Sequence, residues 1–201
     1  MLVIRPNYDK ATSFTHSWAQ LIVDALAGVE DIADTNVVPG VIRSALPSQT
    51  SIAFFGHGTA IALLGHHGAP VISVVNAIAG HLRGKVILAV ACNSAQFLGL
   101  GWIGARTGTR AYIGYTRRFR FLAGGASTFG EVATAPLLRM IVRGATAGDA
   151  LEFGHNIYRE AIQYYVGGQG RFHPSRPGIV ARLGWNLNSL VLRGDRRVTL
   201  S

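Results

Sequence analysis

The chain has 201 residues, enough for one domain with a sizeable core. Apolar residues make up 49% and mean hydropathy lies just above zero, which excludes a disordered tail. One cysteine excludes an intramolecular disulfide and any multi-cysteine zinc site, and the net charge of +9 comes from 17 Arg and 2 Lys against ten acids.

The charge is unevenly spread. Five acids lie within residues 9–34 and five within 131–195, and none lies between 35 and 130. That acid-free stretch carries Arg43, Arg83, Lys85, Arg106, Arg110, Arg117, Arg118 and Arg120, so a ligand near it meets a positive field. A generally basic, arginine-favouring surface accounts for the same bias. No zinc-finger, RNP or heptad pattern accompanies it, which argues against nucleic acid as the partner. Met1 to Lys10 lacks a secretory pattern. The uncharged stretches Ser44–Leu82 and Val86–Ala105 are long enough to span a bilayer. Their histidines, prolines, asparagines and glycines fit a buried α/β core better. With the lone cysteine, this places the protein in the cytoplasm, away from membranes.

In chain order, Leu2-Val3-Ile4 predicts a strand ending at Arg5-Pro6. Phe14, Trp18, Leu21, Ile22, Ala25 and Leu26 give helical spacing over Thr12–Ala27, with Gly28 as the stop. Val29–Ala33 reads as a short strand. Val37–Leu46 reads as a helix with Pro39 in its first turn. Ile52–Phe55 is an apolar strand running into Gly56-His57-Gly58. Pro70–Leu82 reads as helical. Val86–Ala91 is the clearest strand and ends at Cys92-Asn93-Ser94, with a helix expected over Ala95–Ala105. Ala111–Tyr115 is a further strand, followed by the Arg-rich turn Thr116–Arg120. Helices are expected over Thr128–Arg143 and from Thr146 to Val166, the latter with Asp149 in its first turn. Residues 167–178 read as loop, and the tail has apolar runs at Leu187–Leu192 and Val198–Leu200.

Apolar strands without alternation, interleaved with helices, predict a single α/β domain over residues 1–201. Its central sheet is mainly parallel and covered by helices on both faces. Ligands bind such sheets at the carboxyl ends of the strands. That edge collects Asp9, His57, Cys92 and Arg117-Arg118. An imidazole can take the proton of a thiol and so make it nucleophilic. A helix starting directly after Cys92 would lower the thiol pKa further. Gly58 admits close backbone approach, and its N–H with that of Cys92 can form an oxyanion hole. No acid lies near His57 in sequence, which favours a His–Cys dyad over a carboxylate-anchored triad. The plainer reading is that Cys92 is a small apolar residue at a strand end.

Two segments carry a family likeness. Ile52-Ala-Phe-Phe-Gly-His57-Gly58 and Val86-Ile-Leu-Ala-Val-Ala-Cys92-Asn-Ser94 resemble the two active-site signatures of the caspase-like cysteine peptidases. Within that clan the likeness is to the CHAT and gingipain-like branches. The opening Leu2-Val-Ile-Arg-Pro-Asn-Tyr-Asp9 resembles the clan's first strand and loop. Trp185-Asn186 through Gly194-Asp195 is similar to the closing strands of CHAT-type domains. The resemblance implies a three-layer caspase-like fold and a thiol endopeptidase, with His57 as general base and Cys92 as nucleophile. Gly58 and Cys92 N–H would form the oxyanion hole. Cleavage is implied after a charged residue of a protein or peptide substrate, and an activating partner or ligand is a further implication, as in bacterial signalling or defence effectors. The pattern departs from caspases proper: Val90-Ala91-Cys92-Asn93-Ser94 replaces their Gln-Ala-Cys-x-Gly. The His57–Cys92 interval of 35 residues is also shorter than their roughly 50. No long linker follows Cys92, which implies a single-chain enzyme.

Specificity stays open at this level. Asp9 would select a basic residue; Arg117 or Arg118 (with Arg120) would select an acidic one or another anion. The plainer reading of Asp9 is a cap for the following helix. No metal or cofactor is expected: His66-His67 are adjacent, with no acid nearby to complete a site with His57, and Gly56-His57-Gly58 is no dinucleotide fingerprint. Two other functions fit the sequence: a non-catalytic caspase-like binding domain, and a basic nucleotide- or nucleic-acid-binding protein centred on Arg117–Arg120.

Overall fold

The structure, a computed structural model, describes residues 1–74, 79–102 and 108–200. Its strands are β1 (Leu2–Arg5), β2 (Glu30–Ala33), β3 (Ser51–Phe55), β4 (His57–Gly58), β5 (Ala62–Leu64), β6 (Pro70–Ser73), β7 (Val86–Val90), β8 (Ala111–Tyr115) and β9 (Leu190–Gly194). Its α-helices are α1 (Lys10–Ala25), α2 (Pro39–Ala45), α3 (Leu98–Trp102), α4 (Ala126–Arg143), α5 (Ala147–Val166) and α6 (Arg176–Leu187).

Among the described residues, six strands form one sheet in the order β2-β1-β3-β7-β8-β9. All its pairings are parallel except β8–β9. The apolar strands show no alternation in sequence because both faces are covered, yet successive side chains still go to opposite sides. Val3, Ala53, Phe55, Leu88, Val90, Ile113 and Tyr115 pack with Trp18 and Ile22 of α1, Phe129 and Leu137 of α4, Tyr158 of α5 and Leu183 of α6. Leu2, Ile4, Ile52, Phe54, Ile87, Ala89 and Tyr112 pack on the other side with Ile42 of α2, Leu63 of β5, Val71 and Ile72 of β6, and Leu98 of α3. The expected mixed α/β fold with a mainly parallel sheet is therefore present. One face is covered by four helices. The other is covered by α2, α3 and a small antiparallel sheet, β4-β5-β6.

Three expectations need correction. Pro70–Ser73 is a strand, not the start of a helix. A short apolar run cannot declare its period, and here pairing with β5 decides it. The rest of that expected helix falls partly on residues 75–78, outside the described residues. The helix after Cys92 does not begin at once: residues 91–97 are bend and turn, and α3 starts at Leu98. Its expected continuation to Ala105 runs into residues 103–107, also outside the described residues. Arg176–Leu187, which carried no strong signal, is helical. Its buried stripe is Ile179, Leu183 and Asn186, and it closes the edge of the helical layer. No helix among the described residues is long and apolar enough to cross a membrane.

Candidate active site

The carboxyl ends of β1, β3 and β7 meet at one rim. Gly56 follows β3, and its N–H donates to the Val90 carbonyl at 3.2 Å, which draws the two strand ends together. A Cβ at Gly56 would stand 2.9 Å from Pro6 Cγ, so the exit of β1 lies against the same turn. His57 then enters β4. Beyond β7, Cys92 is followed by Asn93 in the left-handed conformation (φ 55°), a turn that asparagine tolerates better than most residues. The Asn93 N–H donates to the Arg117 carbonyl, and the Ala95 N–H to the Tyr115 carbonyl, each at 3.0 Å. The Cys92 turn is thereby fastened to the end of β8 and the Arg-rich segment beyond it.

His57 and Cys92 line one apolar cavity of about 100 Å³, together with Ala11, Thr12 and Thr15 of α1, Gly56, Val90, Phe119 and Phe121. The Cys92 Sγ is half-buried and makes a long 3.8 Å contact with the Phe119 carbonyl. Burial pushes the thiol pKa up, and the charge of Arg118 only partly opposes this. The expected lowering by a helix N-terminus is corrected, because that helix is absent from the residues next to the thiol.

The imidazole has a carboxylate partner. His57 Nε2 lies 2.7 Å from Asp9 Oδ2. The expectation of a dyad rested on the lack of a nearby acid in sequence. Folding corrects it by carrying the exit of β1 across to β4. Asp9 is also the N-cap of α1: its Oδ1 accepts the Thr12 N–H at 2.7 Å and the Thr12 hydroxyl at 2.9 Å. Burial alone would raise the Asp9 pKa. The Thr12 amide and the His57 ring outweigh it and hold the carboxyl below the usual aspartate value. Asp9 is thus the ionised acceptor and His57 Nε2–H the donor, which leaves Nδ1 as the basic ring nitrogen. Tyr8 flanks the site, its ring centroid 5.9 Å from that of His57 and 5.8 Å and 5.7 Å from those of His66 and His67. Among the described residues, no three His, Cys, Asp or Glu side chains group as metal ligands.

Gly58 backs directly onto the nucleophile turn. A Cβ there would stand 2.9 Å from both Ala91 Cβ and the Cys92 carbonyl oxygen. In the β4–β5 ladder, the Thr59 N–H donates to the Ala62 carbonyl. Hydrogen-bonded and open pairs alternate in an antiparallel ladder, so Gly58, opposite Leu63, occupies an open pair. Its N–H faces away from β5. The Cys92 N–H has no protein acceptor among the described residues. Two amide donors are therefore left over beside the thiol.

A second hollow, of about 400 Å³, shares Cys92, Phe119 and Phe121 with the first and is further lined by Arg118, Arg120 and Arg182. Arg117 does not line it; its guanidinium lies 5.0 Å from the Trp185 ring centroid, and that of Arg120 lies 4.0 Å away. Asp9 lines neither hollow. Helix α6 pins this segment: Trp185 Nε1 donates to the Arg118 carbonyl at 2.7 Å. Buried Asn186 accepts the Arg120 N–H at 2.9 Å and donates to the Arg120 carbonyl at 2.7 Å. Sequence reasoning missed Arg182, Trp185 as a platform and Asn186. The spacing of Ile179, Leu183 and Asn186 is the signal that could have found α6.

No protein-family model matches the chain, and no curated protein sequence does. Among solved structures, the complex of the Porphyromonas gingivalis RgpB pro- and mature domains is similar, with a TM-score of 0.61 and 16% identity. The alignment covers 97% of this chain and 47% of that one, so the chain spans about half the length of this neighbour. The likeness is one of fold alone: a mixed α/β domain with a mainly parallel central sheet.

Proposed function

We propose that the protein is a cysteine endopeptidase of the caspase-like type, acting on a protein or peptide substrate as a single chain. The observation that carries this reading is the shared cavity: His57 and Cys92 line the same small apolar space. In the reaction, His57 Nδ1 takes the Cys92 proton as the sulfur electron pair bonds to the scissile carbonyl carbon. The carbonyl π pair moves onto oxygen, where the Gly58 and Cys92 N–H groups stabilise it. Collapse breaks the C–N bond, and His57 returns the proton to the leaving amine. Water, deprotonated by His57, then cleaves the thioester and restores the thiol. Asp9 holds the ring in the tautomer that keeps Nδ1 basic and stabilises the imidazolium. Because burial keeps the resting thiol protonated, proton transfer accompanies attack, without a preformed ion pair. Assignment to the CHAT-like branch rests on sequence likeness alone: of the segment expected to form closing strands, Trp185-Asn186 belongs to helix α6 and only Leu190–Gly194 is a strand.

The test is hydrolysis of a fluorogenic peptide panel bearing Asp, Glu, Arg, Lys and Leu before the scissile bond. Activity abolished by Cys92→Ala and by His57→Ala supports the enzyme. Turnover that survives Cys92→Ala overturns it. One observation favours a second reading, a binding domain without catalysis: the half-buried Cys92 Sγ contacts the Phe119 carbonyl, at 3.8 Å. Peptides that bind the wild type and are released uncut would establish that alternative.

A further inference from the structure

The basic hollow beside Cys92 is unlike the cavity shared with His57. It is four times larger and lined by the guanidinium-bearing residues Arg118, Arg120 and Arg182. Among the described residues, none of the three has a carboxylate within 4.0 Å; the ion pairs involve Arg5, His16, His57, Arg196 and Arg197 instead. Three cations side by side repel one another, and an incoming anion relieves that repulsion.

The hollow is also held in shape before any ligand arrives. Asn186, fully buried, bonds both backbone groups of Arg120, and Trp185 bonds the Arg118 carbonyl while its ring supports the Arg120 guanidinium. A guanidinium lying on an aromatic face keeps its N–H edge free for a planar acceptor. Arg182 projects from the same helix, with Nη1 donating to the Gly178 carbonyl at 3.1 Å and the other donors left over. Its rival for specificity, Asp9, has one oxygen on Thr12 and the other on His57.

We infer that this hollow seats an acidic side chain of the substrate adjacent to the scissile bond, with Arg182 and Arg118 as specificity-determining residues. The inference rests on the peptidase reading, since it is the position beside Cys92 that turns an anion site into a subsite. A carboxylate between Arg118 and Arg182 would accept charge-assisted hydrogen bonds from both, and a basic or apolar side chain would leave those donors unpaired. The arrangement opposes selection of basic residues.

The experiment uses matched peptide acyloxymethyl ketones that differ only in the residue flanking the warhead: Asp, Glu, Leu or Arg. Covalent labelling of Cys92 is followed by intact mass. Acidic probes are expected to label at least about tenfold faster than the Leu or Arg probes, the discrimination of one charge-assisted hydrogen bond. The preference should shrink as salt is raised. In Arg182→Glu the acid-to-Leu ratio should invert; a ratio taken within one variant does not depend on how much of that variant is folded. Equal labelling by all probes, faster labelling by the Arg probe, or an acid preference that persists in Arg182→Glu overturns the inference and leaves the peptidase reading standing. Labelling by none of the probes overturns both.

Discussion

The carboxylate of Asp9 joins a helix end to the imidazole of His57. Its Oδ1 accepts the Thr12 amide at 2.7 Å, while its Oδ2 lies 2.7 Å from His57 Nε2. One side chain therefore fixes the start of α1 and the orientation of the general base. Helix packing and site geometry are coupled through it: α1 packs on α4, where Gly130 leaves room for Trp18, and a Cβ there would come within 2.4 Å of the indole.

Separating the two roles of Asp9 gives the first prediction. Asn caps helices about as well as Asp, so Asp9→Asn should leave α1 folded and lose only the stability that comes from the ionised carboxylate. Its amide cannot supply the charge that His57 needs as it becomes positive. The expected fall in kcat is about 100-fold, with KM little changed. In acid the sign follows from the lowered Asp9 pKa. The folded state holds the carboxyl below the usual aspartate value, so the unfolded chain binds the proton first. The stability due to ionised Asp9 is complete above that value and is lost as pH falls through the folded pKa. Denaturant midpoints of wild type and Asp9→Asn, measured as a pH series, should converge in acid and separate as pH rises past it. A constant offset across the series would contradict this.

Cys92 makes a prediction about reactivity. Burial raises its pKa above the usual thiol value, so the resting group is a thiol. Iodoacetamide should alkylate it more slowly than a free thiol at neutral pH, with a rate still climbing above pH 9. Removing the opposing charge with Arg118→Gln should slow alkylation at a given pH. A rate plateau below pH 7 would reveal a preformed thiolate–imidazolium pair and overturn the reading of a protonated resting state.

Gly58 is limited by space, not by a left-handed backbone. In Gly58→Ala the new methyl would meet Ala91 Cβ and the Cys92 carbonyl oxygen at 2.9 Å, and the backbone contact cannot yield as a flexible side chain would. The cost is expected to be about 1–3 kcal/mol in stability. Displacement of the two amide donors should lower kcat beyond what unfolding explains. Activity per folded molecule, with the folded fraction taken from circular dichroism, checks this; unchanged specific activity would remove Gly58 from the oxyanion hole.

Asn186 supplies the fourth prediction. It is fully buried and satisfies both backbone groups of Arg120. Asn186→Ala leaves those groups short of partners and should cost about 2–3 kcal/mol. That lowers Tm by roughly 4–12 °C for a chain of this size. Differential scanning calorimetry reads it directly, and a change of less than a degree would show that the Arg-rich segment does not depend on α6.

Much of the fold was written locally. Buried parallel strands must be apolar on both sides, so Ile52–Phe55, Val86–Val90 and Ala111–Tyr115 appear as continuous runs, and α4 and α5 follow from helical spacing bounded by Gly144 and the Thr146 cap. Strand ends in such a sheet collect the ligand-facing residues, which brought out His57, Gly58 and Cys92 together. The short run at Pro70 misled because four residues do not reveal a period. Only pairing with β5 makes it a strand. Tertiary structure alone decided the partner of His57 and the character of the two hollows. Asp9 stands 48 residues from His57, and Arg182 stands 90 from Cys92. At such separations no spacing rule operates. Side chains that far apart meet only because the parallel sheet sets β1, β3 and β7 side by side and α6 packs back over the segment that follows β8.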